Sequence, residues 1–381
     1  MHICFITGEF PLPGQHHGGI GSFVANLGES LVKQGFKVTV IGLRKVKETE
    51  YHNINGIDVY SIPHGKSKYF KWYENFKSLN SKIAEIHRVN KIDVIETAEL
   101  GLFFLKKIPS VKYMIRMHGG HNYFAKFENR PVNKWMNIQE RRSFSKADYI
   151  VAVSDFVGSK TKELINYKKD YHVIYNPINS KKFYNATNEA IEAFSILFAG
   201  SIIEKKGIRQ LVQSMEYLVD KFPKVKLYVA GRFANIPGTS KSYEPVLKAE
   251  ITDKIKNHIE FLGVVPNTEM PKLISKMHIC CYPSHMEAMP IAWLEVLAMG
   301  KIFIGSNTGP GPEAVIDKQT GLLCNPHDPK DIAEKISWVF ENTSLAKEFG
   351  TKAREYVIEN FDNETIVSKN IEFYQSIINK K

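Results

Sequence analysis

Residues 194–231 read FSILFAGSIIEKKGIRQLVQSMEYLVDKFPKVKLYVAG. An apolar run of strand length comes first, then a loop with two lysines, and then a stretch whose apolar residues recur at helical spacing. Pro223 ends that stretch, and a second apolar run follows it. This order predicts a strand, a crossover helix and a second strand, the unit from which parallel sheets are built.

The same order opens the chain. HICFIT is followed by a loop rich in glycine, a helical pattern in GSFVANLGESLVKQ, Gly35 at the helix end and the strand FKVTVIGL. Further strand candidates alternate with helical stretches along both halves. We therefore expect an α/β protein with two Rossmann-like, doubly wound parallel-sheet domains. Their expected bounds are 1–178 and 191–360. A last helix is expected at 361–381, and one possibility is that it packs against the N-terminal domain.

Composition limits the class of protein. The 381 residues are 43% hydrophobic, and the net charge of +11 favours an anionic partner such as a phosphorylated substrate or a phospholipid surface. The four cysteines form no C-x-x-C pair, which fits a reducing compartment. The N-terminus lacks the features of a signal peptide, and no apolar run is long enough to span a bilayer. We expect a cytoplasmic protein that at most contacts the inner face of a membrane.

In open α/β sheets the ligand lies at the carboxyl ends of the strands, so the loops there deserve most weight. Gly18, Gly19 and Gly21 precede the first helix, where backbone N–H groups and the positive helix end suit a phosphate. A dinucleotide fingerprint is absent, because Val24 occupies the third glycine position and no acidic residue ends the next strand. A flexible turn is the alternative interpretation.

Two more loops carry candidate charges. Lys205 and Lys206 sit between a strand and a helix, where they suit a diphosphate, although a solvated lysine pair would look the same. His118 ends a strand and precedes two glycines. His16 and His17 raise the question of a metal site, but no carboxylate or cysteine stands at ligand spacing. We expect no metal and no cofactor.

Residues 284–300 read SHMEAMPIAWLEVLAMG and place two glutamates in an apolar stretch. Pro290 fits the first position of a helix that ends at Gly300, so Glu287 lies in the loop and Glu295 in the second turn. Two turns span about 11 Å, and the N–H groups of the first turn lie between the acids. Carboxylates buried without a partner are costly, so a polyhydroxylated ligand that carries a phosphate suits the arrangement.

With this spacing the chain resembles a retaining glycosyltransferase of family 4, the GT-B type marked by an E-x7-E motif. The resemblance covers nearly the whole chain and includes the glycine loop, the strand-end histidine, IYNPI, FAGSIIEKKG, IEFLGVV and GPGPEAVIDKQTGLLCNPHDPKDIA. It implies two Rossmann-like domains that face each other across a cleft. It also implies that the N-terminal domain binds the acceptor and the C-terminal domain binds a nucleotide-sugar donor.

The resemblance also implies a role for each matching residue. Glu287 would contact the hydroxyls of the donor sugar, Lys206 would neutralise the leaving diphosphate, and His118 would lie by the sugar. Glu295 would bind the ribose hydroxyls. The other residues expected at the donor are Gly18, Gly19, Ser201, Lys205, Arg232, Leu262, Val264, Ala288, Met289 and Ile291.

Two positions depart from the family pattern. Ser201 stands where arginine is common, so Lys205 or Arg232 is the candidate for the missing half of the phosphate clamp. Pro290 stands where glycine is common, which removes one N–H from the donor site. The choice of donor sugar therefore stays open.

The implied function is retaining, metal-independent transfer of a sugar from a nucleotide-sugar to a glycan or lipid-linked acceptor, in surface polysaccharide or glycolipid assembly. Two alternatives remain. One is a GT-B phosphorylase-like enzyme, although no motif designates a lysine for pyridoxal phosphate. The other is a non-catalytic basic protein that binds a nucleotide or an anionic membrane surface, because residues 64–91 interleave aromatic residues with lysines. We expect no nucleic-acid partner.

Overall fold

The computed structural model describes residues 1–12, 18–184 and 190–379. The chain divides into two compact units: Met1–Pro177 together with Asn363–Lys381, and Ile178–Asp362. The first boundary lies next to the expected one at residue 178. The second unit begins before residue 191 and ends at Asp362, so the expected 361–381 segment splits between the two units.

The first unit is built on an eight-stranded sheet with the order β3-β4-β2-β1-β5-β6-β7-β8. Neighbouring strands pair in parallel except β3, which is antiparallel to β4. The strands are β1 (His2–Ile6), β2 (Lys37–Arg44), β3 (Glu50–Ile54), β4 (Ile57–Pro63), β5 (Val94–Thr97), β6 (Lys112–Met117), β7 (Tyr149–Ala152) and β8 (His172–Val173).

All its helices except the last connect successive strands, as the alternating sequence pattern predicts. They are α1 (Gly19–Lys33), α2 (Lys71–Val89), α3 (His121–Phe127), α4 (Lys134–Lys146), α5 (Asp155–Ile165) and α13 (Asn363–Asn379). A 3₁₀ turn at Gly101–Phe104 follows β5. The helix α1 begins at Gly19 and ends before Gly35, whose φ of +81° suits glycine.

The hairpin of β3 and β4 was not among the predicted strands. Its connection is Asn55-Gly56, and both residues have positive φ, +51° and +83°. This is the two-residue turn whose twist matches a β-hairpin, and Asn-Gly is its preferred sequence. The sequence therefore contains the turn signal of this hairpin, although the predicted strands did not include it.

The core of the first unit lies between the sheet and helices α1 and α13. Leu27 and Leu31 of α1 are fully buried, and Tyr374 and Ile377 of α13 join the same cluster. The last helix of the chain thus completes the core of the first unit.

A buried ion pair also holds α13 in place. Arg116 Nε donates to Glu96 Oε1 at 2.5 Å, and Arg116 Nη2 donates to Asn370 Oδ1 at 2.6 Å. The hydroxyl of Tyr374 donates to the other oxygen of Glu96 at 2.5 Å. All four residues are buried, and the guanidinium also lies over the ring of Phe23. Because a buried charge must be paired and hydrogen-bonded, α13 supplies partners that the sheet alone does not.

The second unit is built on a six-stranded parallel sheet with the order β11-β10-β9-β12-β13-β14. Its strands are β9 (Glu192–Ala199), β10 (Lys226–Ala230), β11 (Ile259–Gly263), β12 (Met277–Tyr282), β13 (Phe303–Ser306) and β14 (Leu322–Cys324). Its helices are α6 (Ile208–Leu218), α7 (Glu244–Lys248), α8 (Met270–Lys276), α9 (Ile291–Ala298), α10 (Gly311–Ala314), α11 (Pro329–Glu341) and α12 (Thr343–Phe361).

Strand β12 lies at the centre of the second core, and each of its residues is buried. Helix α9 is apolar on nearly all sides and buries Trp293 and Leu294 against the sheet. Such a central strand and helix hold the loop between them, which carries Glu287, in a fixed position. Each unit thus contains one of the two predicted sheets, and all neighbouring strands are parallel except β3 with β4.

Candidate active site

Two residues expected at the donor meet in the second unit. Lys206 Nζ donates a hydrogen bond to Glu287 Oε1, and both side chains are largely buried. Lys206 closes the 3₁₀ turn Glu204–Lys206 after β9, while Glu287 lies in the loop after β12. Since β9 and β12 are neighbours in a parallel sheet, their carboxyl ends bring these loops together.

Close backbone packing fixes the distance between the two loops. A Cβ added to Gly207 would lie 1.8 Å from the carbonyl oxygen of Pro283, and Gly207 has a φ of +68°. Both facts require glycine at this position. The N–H of His285 also donates to the carbonyl oxygen of Lys205 at 2.8 Å, so the loops are hydrogen-bonded as well as packed.

A charged cluster supports the lysine loop from its other side. Glu204 accepts hydrogen bonds from Arg209 at 2.7 and 2.9 Å and from the hydroxyl of Tyr243. Burial alone would raise the pKa of Glu204, but these donors and Gln210 lower it to about 2. Sequence reasoning did not assign this cluster. The i,i+5 spacing of Glu204 and Arg209 gives a weak signal, and Tyr243 is distant in sequence.

Glu295 lies in the second turn of α9, as the sequence predicts. Burial raises the pKa of Glu295 to about 7, while Lys182 acts in the opposite direction. No hydrogen bond to its carboxylate is found within residues 1–12, 18–184 and 190–379. A half-buried carboxylate without a protein partner is the kind of group that a ligand hydroxyl can satisfy.

Pro290 was expected at the first position of the helix. It is the N-cap residue of α9, and Ile291 is the first helical residue. Its φ is −78° and its ψ is 111°, an extended conformation that the proline ring permits. The N–H groups of Ile291 and Ala292 therefore open the helix. Gly300, with a φ of +65°, follows the helix end.

The remaining donor candidates lie at the carboxyl edge of the same sheet. Ser201 and the exposed Arg232 follow β9 and β10, and Ile202 N–H donates to the carbonyl oxygen of Arg232 at 2.9 Å. Leu262 and Val264 lie at the end of β11, and Val264 is 71% exposed. These residues share one sheet edge, which is the placement that their assignment requires.

The loop residues next to Glu287 differ in exposure. Ala288 and Ile291 are half-buried, while the side chain of Met289 is only 3% exposed. Lys205 is half-buried beside Lys206.

The first unit holds the other predicted residues. Gly18 is the N-cap of α1 and Gly19 is its first residue. A Cβ on Gly18 would lie 2.5 Å from Glu9 Oε2, whereas a Cβ on Gly19 would have no neighbour within 4 Å. The Glu9 carboxylate is the exposed end of a flexible side chain and can move aside, so packing does not by itself require glycine at Gly18, and at Gly19 the space beside the helix end is open.

His118 lies at the end of β6, next to the start of α1. Its ring packs edge-on against Phe23, with the ring centroids 5.1 Å apart. Burial lowers the pKa of His118 to about 3, and the charge of Arg116 acts in the same direction. The imidazole is therefore neutral at pH 7. The backbone N–H of His118 donates a hydrogen bond to Glu99. Its ring nitrogens have no hydrogen-bond partner among the described residues.

The question of metal binding rests on few residues. His16 and His17 lie outside the described residues. Across 1–12, 18–184 and 190–379, no group of three or more histidine, cysteine, aspartate or glutamate side chains is arranged to hold a metal ion.

Within the same ranges, no helix is both long and apolar enough to cross a membrane. The four cysteines are buried thiols without disulfides.

Comparison with protein families shows where the chain belongs. Residues 17–182 match the model of Glycosyltransferase Family 4, and residues 180–356 match that of Glycosyl transferases group 1. The two matches follow each other along the chain in the order of its two units. The chain belongs to the family 4 glycosyltransferases. The family that the E-x7-E spacing indicated is confirmed.

Relatives resemble this glycosyltransferase over nearly its whole length. An uncharacterised glycosyltransferase of Methanocaldococcus jannaschii is 25% identical over 393 residues, which cover 98% of each chain. N-acetyl-alpha-D-glucosaminyl L-malate synthase of Bacillus anthracis is 23% identical over 375 residues, 95% of this chain and 94% of the relative.

Solved structures show that this glycosyltransferase has the GT-B fold. Sucrose-phosphate synthase from Thermosynechococcus elongatus has a TM-score of 0.82 at 18% identity, and each chain is covered completely. HepE of Anabaena, solved in complex with UDP-glucose, has a TM-score of 0.75 at 16% identity over 99% of this chain and 100% of its own.

Proposed function

We propose that this glycosyltransferase is a retaining enzyme that needs no metal ion and moves a hexose from a nucleotide-sugar to a glycan or lipid-linked acceptor. The contact between Lys206 and Glu287 carries the proposal. It places a cation suited to a diphosphate next to a carboxylate suited to sugar hydroxyls, in loops that Gly207 packs together. A nucleotide-sugar has these two groups joined to each other.

The donor is best supported as a UDP-sugar. One relative is named for N-acetylglucosaminyl malate synthesis, and HepE was solved with UDP-glucose. In this proposal Glu295 accepts hydrogen bonds from the ribose hydroxyls, and the backbone at Leu262 and Val264 contacts the base. Glu295 has no hydrogen bond to the described protein, which leaves its oxygens available to such a ligand.

Charge separation explains why a lysine is needed. As the bond from the anomeric carbon to the phosphate oxygen breaks, its electron pair passes to the diphosphate and the sugar becomes positive. The ammonium of Lys206 stabilises the leaving diphosphate, as does the N-terminal end of α9. Lysine and backbone N–H groups thus supply the positive charge that a metal ion supplies in other transferases.

Retention follows from the side on which the acceptor attacks. The acceptor oxygen forms its bond to the anomeric carbon on the face that the diphosphate leaves. The proton of the acceptor hydroxyl passes to the departing phosphate oxygen, so atoms and charge balance without a protein nucleophile. His118, whose imidazole is neutral, hydrogen-bonds a hydroxyl of the transferred sugar.

A lipid-linked acceptor is supported by an exposed aromatic segment at 69–73. The exposed fractions of Tyr69, Phe70, Trp72 and Tyr73 are 77%, 64%, 52% and 50%; Lys71 lies between the two aromatic pairs, and Lys66 and Lys68 precede them. Large apolar side chains clustered on a surface mark an interaction site, and tryptophan and tyrosine favour the membrane interface. We propose that this segment contacts anionic lipid at the inner face of the cell membrane, where surface polysaccharides or glycolipids are assembled.

Thermal denaturation against UDP, GDP, ADP, CMP and their common sugar conjugates, in the presence of EDTA, tests the donor. A ligand that binds only the native state increases the free energy of unfolding, by about 2.7 kcal/mol at 100 times its Kd, and so raises Tm. We expect a rise with UDP and its conjugates that Lys206→Ala reduces. Lys248→Ala, an exposed lysine of α7, is the control and should respond as wild type does. No rise with any nucleotide would contradict the proposal and favour a non-catalytic protein.

Sedimentation with vesicles tests the lipid surface. Phosphatidylcholine vesicles with about 30% phosphatidylglycerol should bind the protein at low salt. At about 0.5 M salt they should release much of it, because salt screens surface charge. Replacing Phe70 and Trp72 by serine should abolish binding. Equal binding by this variant would exclude the aromatic segment as the contact.

A further inference from the structure

Two buried glutamates lie beside His118 in the first unit, and neither belongs to the proposed donor site. Glu99 follows β5 and is 2% exposed, and Glu140 on α4 is fully buried. Neither forms an ion pair within the described part of the chain. Buried carboxylates without a cation are costly, so their presence needs an explanation.

Both glutamates hold the backbone of the loop that follows β6. Glu99 Oε1 accepts a hydrogen bond from the N–H of His118 at 2.6 Å. Glu140 Oε2 accepts from the N–H of Asn122 at 2.9 Å and from its side-chain amide at 2.5 Å. The loop from His118 to the start of α3 is therefore anchored at both ends by carboxyl groups from different elements.

The glutamates also pack against the middle of that loop. A Cβ on Gly120 would lie 2.0 Å from Glu140 Oε1 and 3.0 Å from the Cβ of Glu99. Glycine at this position lets both acids reach the backbone. Glu140 Oε1 is buried and has no hydrogen-bond partner in the described residues. The two acids thus both pack against Gly120, where a side chain would otherwise lie.

We propose that Glu99 is a positioning residue for sugar transfer: it holds the backbone N–H of His118 while Glu140 holds that of Asn122, and the loop at 118–122 thereby fixes the ring of His118 where it meets the transferred sugar. This inference rests on the proposed role of His118. Burial disfavours a charge on either carboxyl, and a charged Glu140 further disfavours ionisation of Glu99, so Glu99 keeps its proton at pH 7.

The electrostatics agree with this geometry. Burial and, to a smaller extent, the charge of Glu140 raise the pKa of Glu99 to about 8, against the hydrogen bonds that backbone N–H groups donate to it. Burial also raises the pKa of Glu140, against the hydrogen bonds from Asn122. The other titratable or charged groups on the elements around the pair are Arg116 on β6, His118 directly after it, His121 on α3 and Arg141 on α4. Among these, Arg141 acts on Glu140 and favours its charged form.

Kinetics of donor hydrolysis test the role. The probe is the nucleotide-sugar that gives the largest rise in Tm, and its hydrolysis in the absence of acceptor gives kcat and KM. We expect Glu99→Ala to lower kcat by about tenfold or more with KM within about threefold, since misplacing a group by an ångström has effects of this size. Glu99→Gln keeps an acceptor for the His118 N–H and should restore kcat to within about threefold of wild type.

A matched control separates positioning from general destabilisation. Asp148 Oδ2 accepts the N–H of Tyr113 at 2.9 Å, at the opposite end of the same strand β6. Asp148→Ala should therefore lower Tm but leave kcat unchanged. If it lowers kcat as much as Glu99→Ala does, loss of a strand contact explains both and the inference is overturned.

A double-mutant cycle shows whether Glu99 acts through His118. The variant that combines Glu99→Ala with His118→Ala should have the kcat of His118→Ala alone, because one group acts through the other. Multiplicative losses would overturn the role of Glu99 and leave the proposed function standing. Wild-type kcat in His118→Ala would instead overturn the proposed role of His118 itself.

Should Glu99→Ala not fold, the pH profile of Glu99→Gln decides the matter. Wild-type kcat should fall as pH rises through about 8, when the second carboxyl loses its proton and the loop is pushed away. Glu99→Gln cannot ionise and should stay flat over that range. The same alkaline fall in both proteins would overturn the inference.

Discussion

Lys206 and Glu287 form an ion pair although 81 residues separate them in the sequence. Their side chains are 24% and 14% exposed, so the pair is partly shielded from water. Without a donor, each charge is the partner of the other. When a nucleotide-sugar binds, we expect the diphosphate to take over Lys206 and the sugar hydroxyls to take over Glu287.

Replacing Glu287 should separate catalysis from nucleotide binding. Glu287→Gln should lower kcat of donor hydrolysis by about 100-fold, because the sugar loses the group that orients it. The Kd of the free nucleotide should stay within about threefold or decrease, since Lys206 loses a competing anion. Calorimetry of nucleotide binding and hydrolysis kinetics measure the two effects. Glu192→Gln, at the amino end of β9, is the control that should change neither.

Glu295 should make nucleotide binding depend on pH. Burial raises the pKa of Glu295 to about 7, so its carboxylate forms as pH rises from 6 to 8. The charged form is the stronger acceptor for ribose hydroxyls, and affinity should increase over this range. The nucleotide phosphate titrates as well, so the comparison with Glu295→Gln isolates the protein group. Parallel curves for the two proteins would contradict a ribose contact.

The same shift predicts a change in stability with the opposite sign. A carboxyl whose pKa is higher in the folded state binds its proton more tightly there, so it stabilises the fold at low pH. That contribution is present below about 4.5 and is lost as pH rises through about 7. In urea unfolding without nucleotide, wild type should lose stability relative to Glu295→Gln between these values. An unchanged difference would place the carboxyl in water.

Gly207→Ala should disturb both loops of the site. The new Cβ would lie 1.8 Å from the carbonyl oxygen of Pro283, and the φ of +68° is strained for alanine. We expect a loss of about 1–3 kcal/mol from the backbone alone, plus a lower kcat because Lys206 and Glu287 move apart. Gly238 has a φ of +79° with open space around it, so Gly238→Ala measures the cost of φ without a clash. Equal effects in both variants would show that the close packing has no role.

Tyr374→Phe should loosen the last helix. It removes the shorter of the two hydrogen bonds to Glu96 Oε2 and leaves only the 3.3 Å bond from Arg116 Nη2 in a buried ion pair, so we expect a loss of about 1–3 kcal/mol. Hydrogen exchange of residues 363–379 should accelerate, because this loss acts on α13 first. Tyr51 donates to Asp58 on the surface, and Tyr51→Phe should change exchange nowhere in α13. Unchanged exchange in Tyr374→Phe would show that packing alone holds the helix.

The sequence predicted much of this fold because parallel sheets leave strong local patterns. Apolar strands such as β12, amphipathic helices and loops at strand ends could be found one by one, and the spacing of Glu287 and Glu295 indicated the family. The hairpin around Asn55-Gly56 was missed despite its turn signal. The other omissions have a different cause: Glu99 with Glu140, and Arg116 with Asn370, are pairs formed only by folding, and no local pattern shows which buried charges will meet.

The place of α13 in the first unit has a consequence for synthesis on the ribosome. Glu96 and Arg116 are made early, but their partners Asn370 and Tyr374 emerge only after the whole second unit has been translated. The second unit has its complete sheet before the first has its last helix. The unit that starts first therefore finishes last, and until then the nascent chain carries a partly exposed apolar core for chaperones to bind.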